Sequence, residues 1–247
     1  MPQPDSASMA VFLDFDGTLV DIAARPEAVQ PASRLPGLLA QASHSLGGAL
    51  AIVSGRPLAQ IDAFLAPLQL PAAGLHGLEM RWADGRQFRD EQAAAPLAAV
   101  RGELAEFIDH HPDVHLEDKQ LSIALHYRAA PQREAACRHL IDRLVADSAG
   151  QLTRLDGKCV CELRPSGHDK GHMVAAFLQH PPFHGRQPVF IGDDITDEFG
   201  FRMAQALGGF GIRVGGMSPA TAARYQLPDV AAVLDWLHLL ATAPPQD

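Results

Sequence analysis

The chain has 247 residues, 47% of them hydrophobic, so one large domain or two modest ones can bury a core without disulfides or structural metal. A formal net charge of −9 argues against nucleic acid or an anionic membrane as main partner, and no apolar run is long enough to span a bilayer. The three cysteines (Cys137, Cys159 and Cys161) and the lack of a secretory leader point to a reducing cytoplasm, and segments 1–6 and 243–247 read as loose termini.

The first predicted element is a buried strand over 9–13, containing Ala10-Val11-Phe12-Leu13. A helix near 31–45 follows. A second apolar strand, Ala49 to Val53, runs into Ser54-Gly55-Arg56-Pro57 and a helix near 57–65. Continuous apolar strands separated by helices imply a parallel sheet covered on both faces. Leu75 to Arg89 reads as short strands around the turn Ala83-Asp84-Gly85. From about 92 to 164 the order changes, with helices near 93–109 and 131–148 and strands near 113–118, 121–127, 151–156 and 159–164. Their short connections predict antiparallel hairpins. After Pro165-Ser166-Gly167 come a helix near 170–179, a Pro-rich loop at 181–188, a strand at 189–191, a helix near 197–206 and a strand at 211–214. The last helix starts at Asp229, with Val230, Val233, Leu234, Leu237 and Leu240 at helical spacing. The expected fold is α/β: a parallel-sheet core, 1–90 and 166–247, interrupted by an inserted α+β cap, 91–165.

Two acidic clusters follow strands: Asp14-Phe15-Asp16-Gly17-Thr18 and Gly192-Asp193-Asp194-Ile195-Thr196-Asp197-Glu198. Carboxylates gathered at strand ends repel one another and lose hydration, which a cation between them relieves. All the candidate ligands are oxygens, which favours magnesium over zinc. In a parallel sheet, ligands bind beyond the carboxyl ends of the strands. There Ser54 and Gly55 would offer an anion backbone N–H groups and a helix dipole, and Lys170 would supply a mobile positive charge. This set suits a two-step phosphoryl transfer. Asp14 attacks the phosphate. Asp16 protonates the leaving alkoxide and then deprotonates the attacking water, which requires the two to differ in protonation. Asp16, off the metal and crowded by negative charge, is expected to hold its proton more readily.

These motifs, in this order, resemble the haloacid dehalogenase (HAD) superfamily of phosphatases, whose core is a Rossmannoid parallel sheet. The resemblance implies nucleophile Asp14 and acid/base Asp16, the latter also lending its backbone carbonyl to Mg2+. It also implies phosphate binding by Ser54, Gly55 and Lys170, with Asp14, Asp16 and Asp193 on the metal and Asp194 and Asp197 around it. A narrower resemblance, to the trehalose-6-phosphate phosphatase family, covers nearly the whole chain. It is carried by Gly74-Leu75-His76-Gly77-Leu78-Glu79, Glu117-Asp118-Lys119, Leu121 to Arg128, Gly157-Lys158, Glu162-Leu163-Arg164-Pro165 and Gly167 to Gly171. It implies that Glu117, Lys119 and Glu162 hold the distal sugar and that His76 and Gly77 line the substrate site. Asp118 departs from the family, which has an asparagine or small polar residue there, and adds charge.

Several residues keep two readings. Arg56 either pairs with substrate phosphate or braces the acid cluster. Glu198 either caps a helix or stands behind the metal. His126 and Arg128 read as strand contacts, and His110-His111 as an exposed helix end. Cys159 and Cys161 share a strand face, without the second pair that zinc needs. The expected function is a magnesium-dependent, monomeric cytoplasmic phosphatase acting on the small molecule trehalose 6-phosphate. The alternatives are sucrose 6-phosphate or mannosyl-3-phosphoglycerate as substrate, or a sensor that binds a sugar phosphate without turnover. A phosphosugar mutase fits less well, because it would have to exclude water.

Overall fold

The computed structural model describes residues 7–23, 28–93, 95–216 and 220–242; the termini expected to be loose, 1–6 and 243–247, lie outside the described residues. The chain forms two compact units, one of Met1–Phe88 with Asp169–Asp247, the other of Arg89–His168.

In the first unit an eight-stranded sheet runs in the order β12-β11-β10-β1-β2-β3-β4-β5. Its strands are β1 (Met9–Leu13), β2 (Leu50–Val53), β3 (Ala72–Gly74), β4 (Glu79–Arg81), β5 (Gln87–Arg89), β10 (Gln187–Gly192), β11 (Phe210–Val214) and β12 (Tyr225–Leu227). The pairings from β12 to β3 are all parallel, and β4 returns antiparallel to β3. Every residue of β1 and β2 is buried, as a strand covered on both faces requires. The helices are α1 (Leu35–Ser45), α2 (Leu58–Leu65), α5 (Lys170–Phe177), α6 (Asp197–Ala206) and α7 (Val230–Thr242). Among them α5 packs on α6 and α1 on α7. Phe12 of β1 meets Phe183 at 5.5 Å and Phe177 of α5 at 6.0 Å between ring centroids. Such pairs add about 0.5–1.5 kcal/mol beyond the area they bury. The three-residue strands β3 and β12 are too short to leave a periodic signal. β10 begins at Gln187, inside the segment that its prolines suggested was loop.

The second unit is a four-stranded antiparallel sheet, β6-β7-β9-β8. Its strands are β6 (His115–Asp118), β7 (Ile123–His126), β8 (Leu152–Gly157) and β9 (Val160–Pro165), and its helices are α3 (Ala95–His110) and α4 (Glu134–Asp147). The register aligns Glu117, Ala124, Glu162 and Leu155 across the four strands. The rows one residue away on either side contain Leu116, Ile123, Leu125, Cys161 and Leu163 and point the other way, toward the side that α3 and α4 pack on. Cys159 corrects one expectation. It lies in the β8–β9 turn with φ 61°, not on the strand, so it shares no strand face with Cys161. No helix among the described residues is long and apolar enough to cross a membrane.

Candidate active site

The chemistry gathers where β1 and β10 end. The β ladder continues one step past β1, where the Asp14 amide donates to the Ile191 carbonyl at 2.9 Å. The chain then folds back on itself, with Gly17 donating to Val20 at 2.7 Å and Leu19 to Phe15 at 2.9 Å. Gly17 has φ +81°, and a Cβ there would overlap the Asp193 carboxylate, so only glycine lets the two acidic loops approach this closely.

Asp14, Asp193 and Asp197 each offer a carboxylate oxygen, all within 4.8 Å of one another. Lys170, the first residue of α5 after its N-cap Asp169, donates to Asp14 Oδ1 at 2.8 Å and to Asp197 Oδ1 at 2.6 Å. Thr18 Oγ1 donates to Asp14 Oδ2 at 3.4 Å. The other oxygen of Asp197 accepts the amides of Asp193 at 3.0 Å and Asp194 at 2.9 Å. Asp197 therefore belongs to the cluster itself and shapes the loop that presents Asp193. Lys170 is 3% exposed and doubly bridged, which corrects the expectation of a mobile charge. Asp194 is exposed and accepts only the amide of Ile195 among the hydrogen bonds seen for its side chain.

With all three carboxylates ionised, the one ammonium would leave two negative charges, the charge that one divalent cation offsets. Burial pushes Asp14 well above the usual carboxylate range; Lys170 pulls the other way, and Asp197 and Asp193 add to the rise. Burial, with Asp197 and Asp194, raises Asp193 to about 7. Burial opposes charge on Lys170, but Asp14 and Asp197 more than offset it and hold the ammonium charged. Among the described residues, Asp193 Oδ1 is buried with no hydrogen-bond partner. An orphaned carboxylate oxygen facing two other acids, in an all-oxygen donor set, fits a hard divalent cation.

The β2–α2 junction stands beside this cluster. Ser54 is 2% exposed, and its Oγ accepts the Arg56 amide at 3.2 Å, which leaves the hydroxyl hydrogen to donate elsewhere. Arg56 forks onto Asp16, Nε to Oδ2 at 2.6 Å and Nη2 to Oδ1 at 2.7 Å, while Nη1 donates to Gln60 at 3.1 Å. The guanidinium also lies over Phe64, 5.0 Å from its ring centroid. Asp16 therefore faces a cation, which corrects the expectation that negative charge crowds it. Of the two readings of Arg56, the structure shows the brace.

At the α2 N-terminus one amide is already taken: Glu79 Oε2 accepts the Leu58 amide at 2.9 Å. His76, with φ 55°, lies against Gly55, where a Cβ would strike its imidazole; its amide donates to the Ser54 carbonyl at 3.1 Å. Gly77 gives way to Met173 of α5, whose side chain a Cβ would overlap. The 74–79 segment thus buttresses the Ser54 turn and the helix that carries Lys170. Glu198 lies in the first turn of α6 and reaches Asp193 only indirectly, through Arg213. It accepts the Ala222 amide at 2.7 Å and an Arg213 Nη1 at 3.5 Å, tying down a distant loop. Thr18 and Glu79 lie inside the motifs Asp14-Phe15-Asp16-Gly17-Thr18 and Gly74-Leu75-His76-Gly77-Leu78-Glu79, but no signal in the sequence marks their separate roles.

In the second unit Lys119 donates to Glu162 at 3.2 Å, and the ring of His126 meets Glu117 at 2.9 Å. β6 stops at Asp118, but the Lys119 amide extends the ladder by bonding to Ser122 at 2.9 Å. Burial would raise Glu117, yet the bond from His126 and the charge of Lys119 bring it below its usual range. Asp118 points to the opposite face, where Arg101 of α3 holds it at 2.9 Å and 3.3 Å, and its Oδ1 accepts the Gln120 amide at 2.7 Å. Its extra charge therefore stays off the Glu117–Glu162 face. Arg128 is exposed and donates to the Lys158 carbonyl at 3.2 Å.

The trehalose-phosphatase family model matches residues 12–231. The trehalose-6-phosphate phosphatase of Escherichia coli is 41% identical over 96% of this chain and 88% of its own length. The C-terminal domain of the Candida albicans trehalose-6-phosphate phosphatase superposes with a TM-score of 0.81 over 95% of this chain and 92% of that one, at 22% identity. A phosphatase of the HAD superfamily from Bacteroides thetaiotaomicron does so with a TM-score of 0.62 over 96% of this chain and 95% of that one, at 15% identity. These two superpositions show the HAD-like fold.

Proposed function

The chain belongs to the trehalose-phosphatase family, and from that membership we propose that it hydrolyses trehalose 6-phosphate to trehalose and phosphate through a phosphorylated Asp14. The observation that carries this reading is the Asp14 carboxylate fixed between Lys170 at 2.8 Å and the Asp193–Asp197 pair. Asp14 and Asp193 would hold the cation, with the Asp16 carbonyl supplied by family resemblance; magnesium suits oxygen donors and, when bound, neutralises the phosphate and polarises its oxygens.

An Asp14 oxygen forms a bond to phosphorus as the bond from phosphorus to the sugar oxygen breaks. For this step Asp16 leaves the Arg56 fork and takes up a proton from solvent, which it then gives to the departing alkoxide. In the second step Asp16 takes a proton from water, the water oxygen bonds to phosphorus, and the bond to Asp14 breaks. Lys170 and the Ser54 hydroxyl hold the equatorial oxygens throughout. On the second unit Glu117, Lys119 and Glu162 hold sugar hydroxyls, and a site built to bond hydroxyls rejects analogues lacking them. The cysteines, none in a disulfide, are consistent with a cytoplasmic setting, and we read the protein as a monomer.

The test is phosphate release from trehalose 6-phosphate, sucrose 6-phosphate and mannosyl-3-phosphoglycerate, with and without chelator. The reading expects turnover on the first that chelator abolishes. Faster turnover of another sugar phosphate would reassign the substrate. Binding without turnover in magnesium would make the chain a sensor.

A further inference from the structure

The register places Glu117, Ala124 and Glu162 side by side on three adjacent strands. At a strand spacing of about 4.8 Å, the two glutamate backbones stand about 10 Å apart, with Ala124 on the strand between them and Lys119 reaching across to Glu162. Each carboxylate has a donor fixed on it. Glu162 has Lys119 at 3.2 Å, which the sugar-binding reading already includes. Glu117 has the His126 ring at 2.9 Å, which that reading leaves out.

His126 sits on β7 two residues past Ala124, opposite His115, so it reaches Glu117 diagonally along the same face. Glu117 is held below its usual range and is an ionised, acceptor-only carboxylate. The shared hydrogen is therefore on His126 Nε2, and the imidazole donates to Glu117 Oε2. This bond fixes the carboxylate plane and engages one oxygen, leaving Oε1 to accept from a hydroxyl. The His115 ring, 5.7 Å from that of His126, limits how far the imidazole can turn away.

We propose that His126 is a positioning residue for substrate selection, acting through Glu117 to aim one carboxylate oxygen at a sugar hydroxyl. The inference rests on the reading of Glu117, Lys119 and Glu162 as sugar ligands. It is tested by kcat/KM on trehalose 6-phosphate and on p-nitrophenyl phosphate for the wild type, His126→Ala, His126→Gln, Glu117→Ala and the His126→Ala/Glu117→Ala double variant. Loss of one hydrogen bond to a charged group predicts that His126→Ala lowers the ratio of the two values about tenfold, mostly through KM for the sugar phosphate. His126→Gln keeps an N–H donor and should recover most of that loss, which also guards against a variant that merely folds poorly. In the Glu117→Ala background, removing His126 should change the ratio less than about twofold.

A full tenfold loss in that background, or an equal loss on both esters, would overturn the role of His126 while leaving the sugar face intact. If Glu117→Ala alone kept the wild-type ratio, the sugar-face reading would fail, and the inference with it.

Discussion

The two polar clusters of this protein are built on opposite electrostatic plans. At the end of β1 and β10, Asp14, Asp193 and Asp197 outnumber Lys170, the cation bonded to two of them, and among the described residues Asp193 keeps a buried oxygen without a hydrogen-bond partner. On the β6–β7–β9 face each carboxylate has a hydrogen-bond donor from within the chain: Lys119 meets Glu162 and His126 meets Glu117. An unbalanced, dry cluster is costly unless something from outside completes it, and that is the situation of a site built for a cation and a reacting group. A half-buried carboxylate with a donor already on it can exchange one polar partner for another at little cost, which suits reversible recognition of hydroxyls. The first region should therefore govern the rate for every phosphate ester, and the second should govern only which ester is chosen.

The sharpest way to break that contrast is Asp14→Asn. The amide cannot become the phosphorylated group, so turnover on trehalose 6-phosphate and on p-nitrophenyl phosphate should fall together, by about 10⁴-fold or more. A phosphate-release assay with both esters checks this, and thermal melting should show a folded chain. A loss confined to the disaccharide phosphate would contradict the division of labour.

Cation removal comes next, on the order of 10³-fold in turnover on either ester. It also has a signature in stability. Burial with Asp197 and Asp194 raises Asp193 to about 7 in the folded chain, against about 4 when unfolded. Between those values the cation-free native state holds a proton that the unfolded chain has lost, so its stability falls as pH rises toward about 7 and levels off above it. A bound cation keeps the carboxylate ionised and removes that slope. Melting temperature against pH in chelator and in magnesium should therefore diverge as pH rises; parallel curves would count against a cation at Asp193.

The two plans were also unequally legible from sequence. The core site follows from short contiguous motifs at strand ends, because a parallel sheet delivers whatever succeeds each strand to one edge. That rule brings Asp14, Asp16, Ser54, Lys170 and Asp193 to the same edge, where the structure places them. What escaped were the contacts that tertiary packing decides. Glu79 fills the start of α2 from 21 residues downstream, and Asp197 places one oxygen on Lys170 and the other on two amides. On the second unit the alternation of strand residues showed which side chains share a face, but the pairing of β7 between β6 and β9 sets which of them touch. That is why His126 read only as a strand contact.

A moderate effect is expected from Glu162→Ala. Removing a charged hydrogen-bonding partner should lower kcat/KM for trehalose 6-phosphate about 10–100-fold relative to p-nitrophenyl phosphate. Equal losses on both esters would show that this glutamate belongs to the chemistry and would erase the distinction between the two regions.

The smallest effect tests the boundary of the sugar face. Asp118 lies between Glu117 and Lys119 in sequence, yet the strand pleat sends it to the other side, where Arg101 takes it at 2.9 Å and the Gln120 amide at 2.7 Å. Arg101 pulls its carboxyl below the ordinary range, but the pair is exposed, and exposed pairs contribute less than about 1 kcal/mol. Asp118→Asn keeps the acceptor for Gln120 and removes the charge. The ratio of the two kcat/KM values should change less than about twofold, and the melting temperature should drop only slightly. A tenfold change in selectivity would mean that charge on the helix-facing side reaches the substrate, and the recognition surface would then extend to both faces of β6 rather than one.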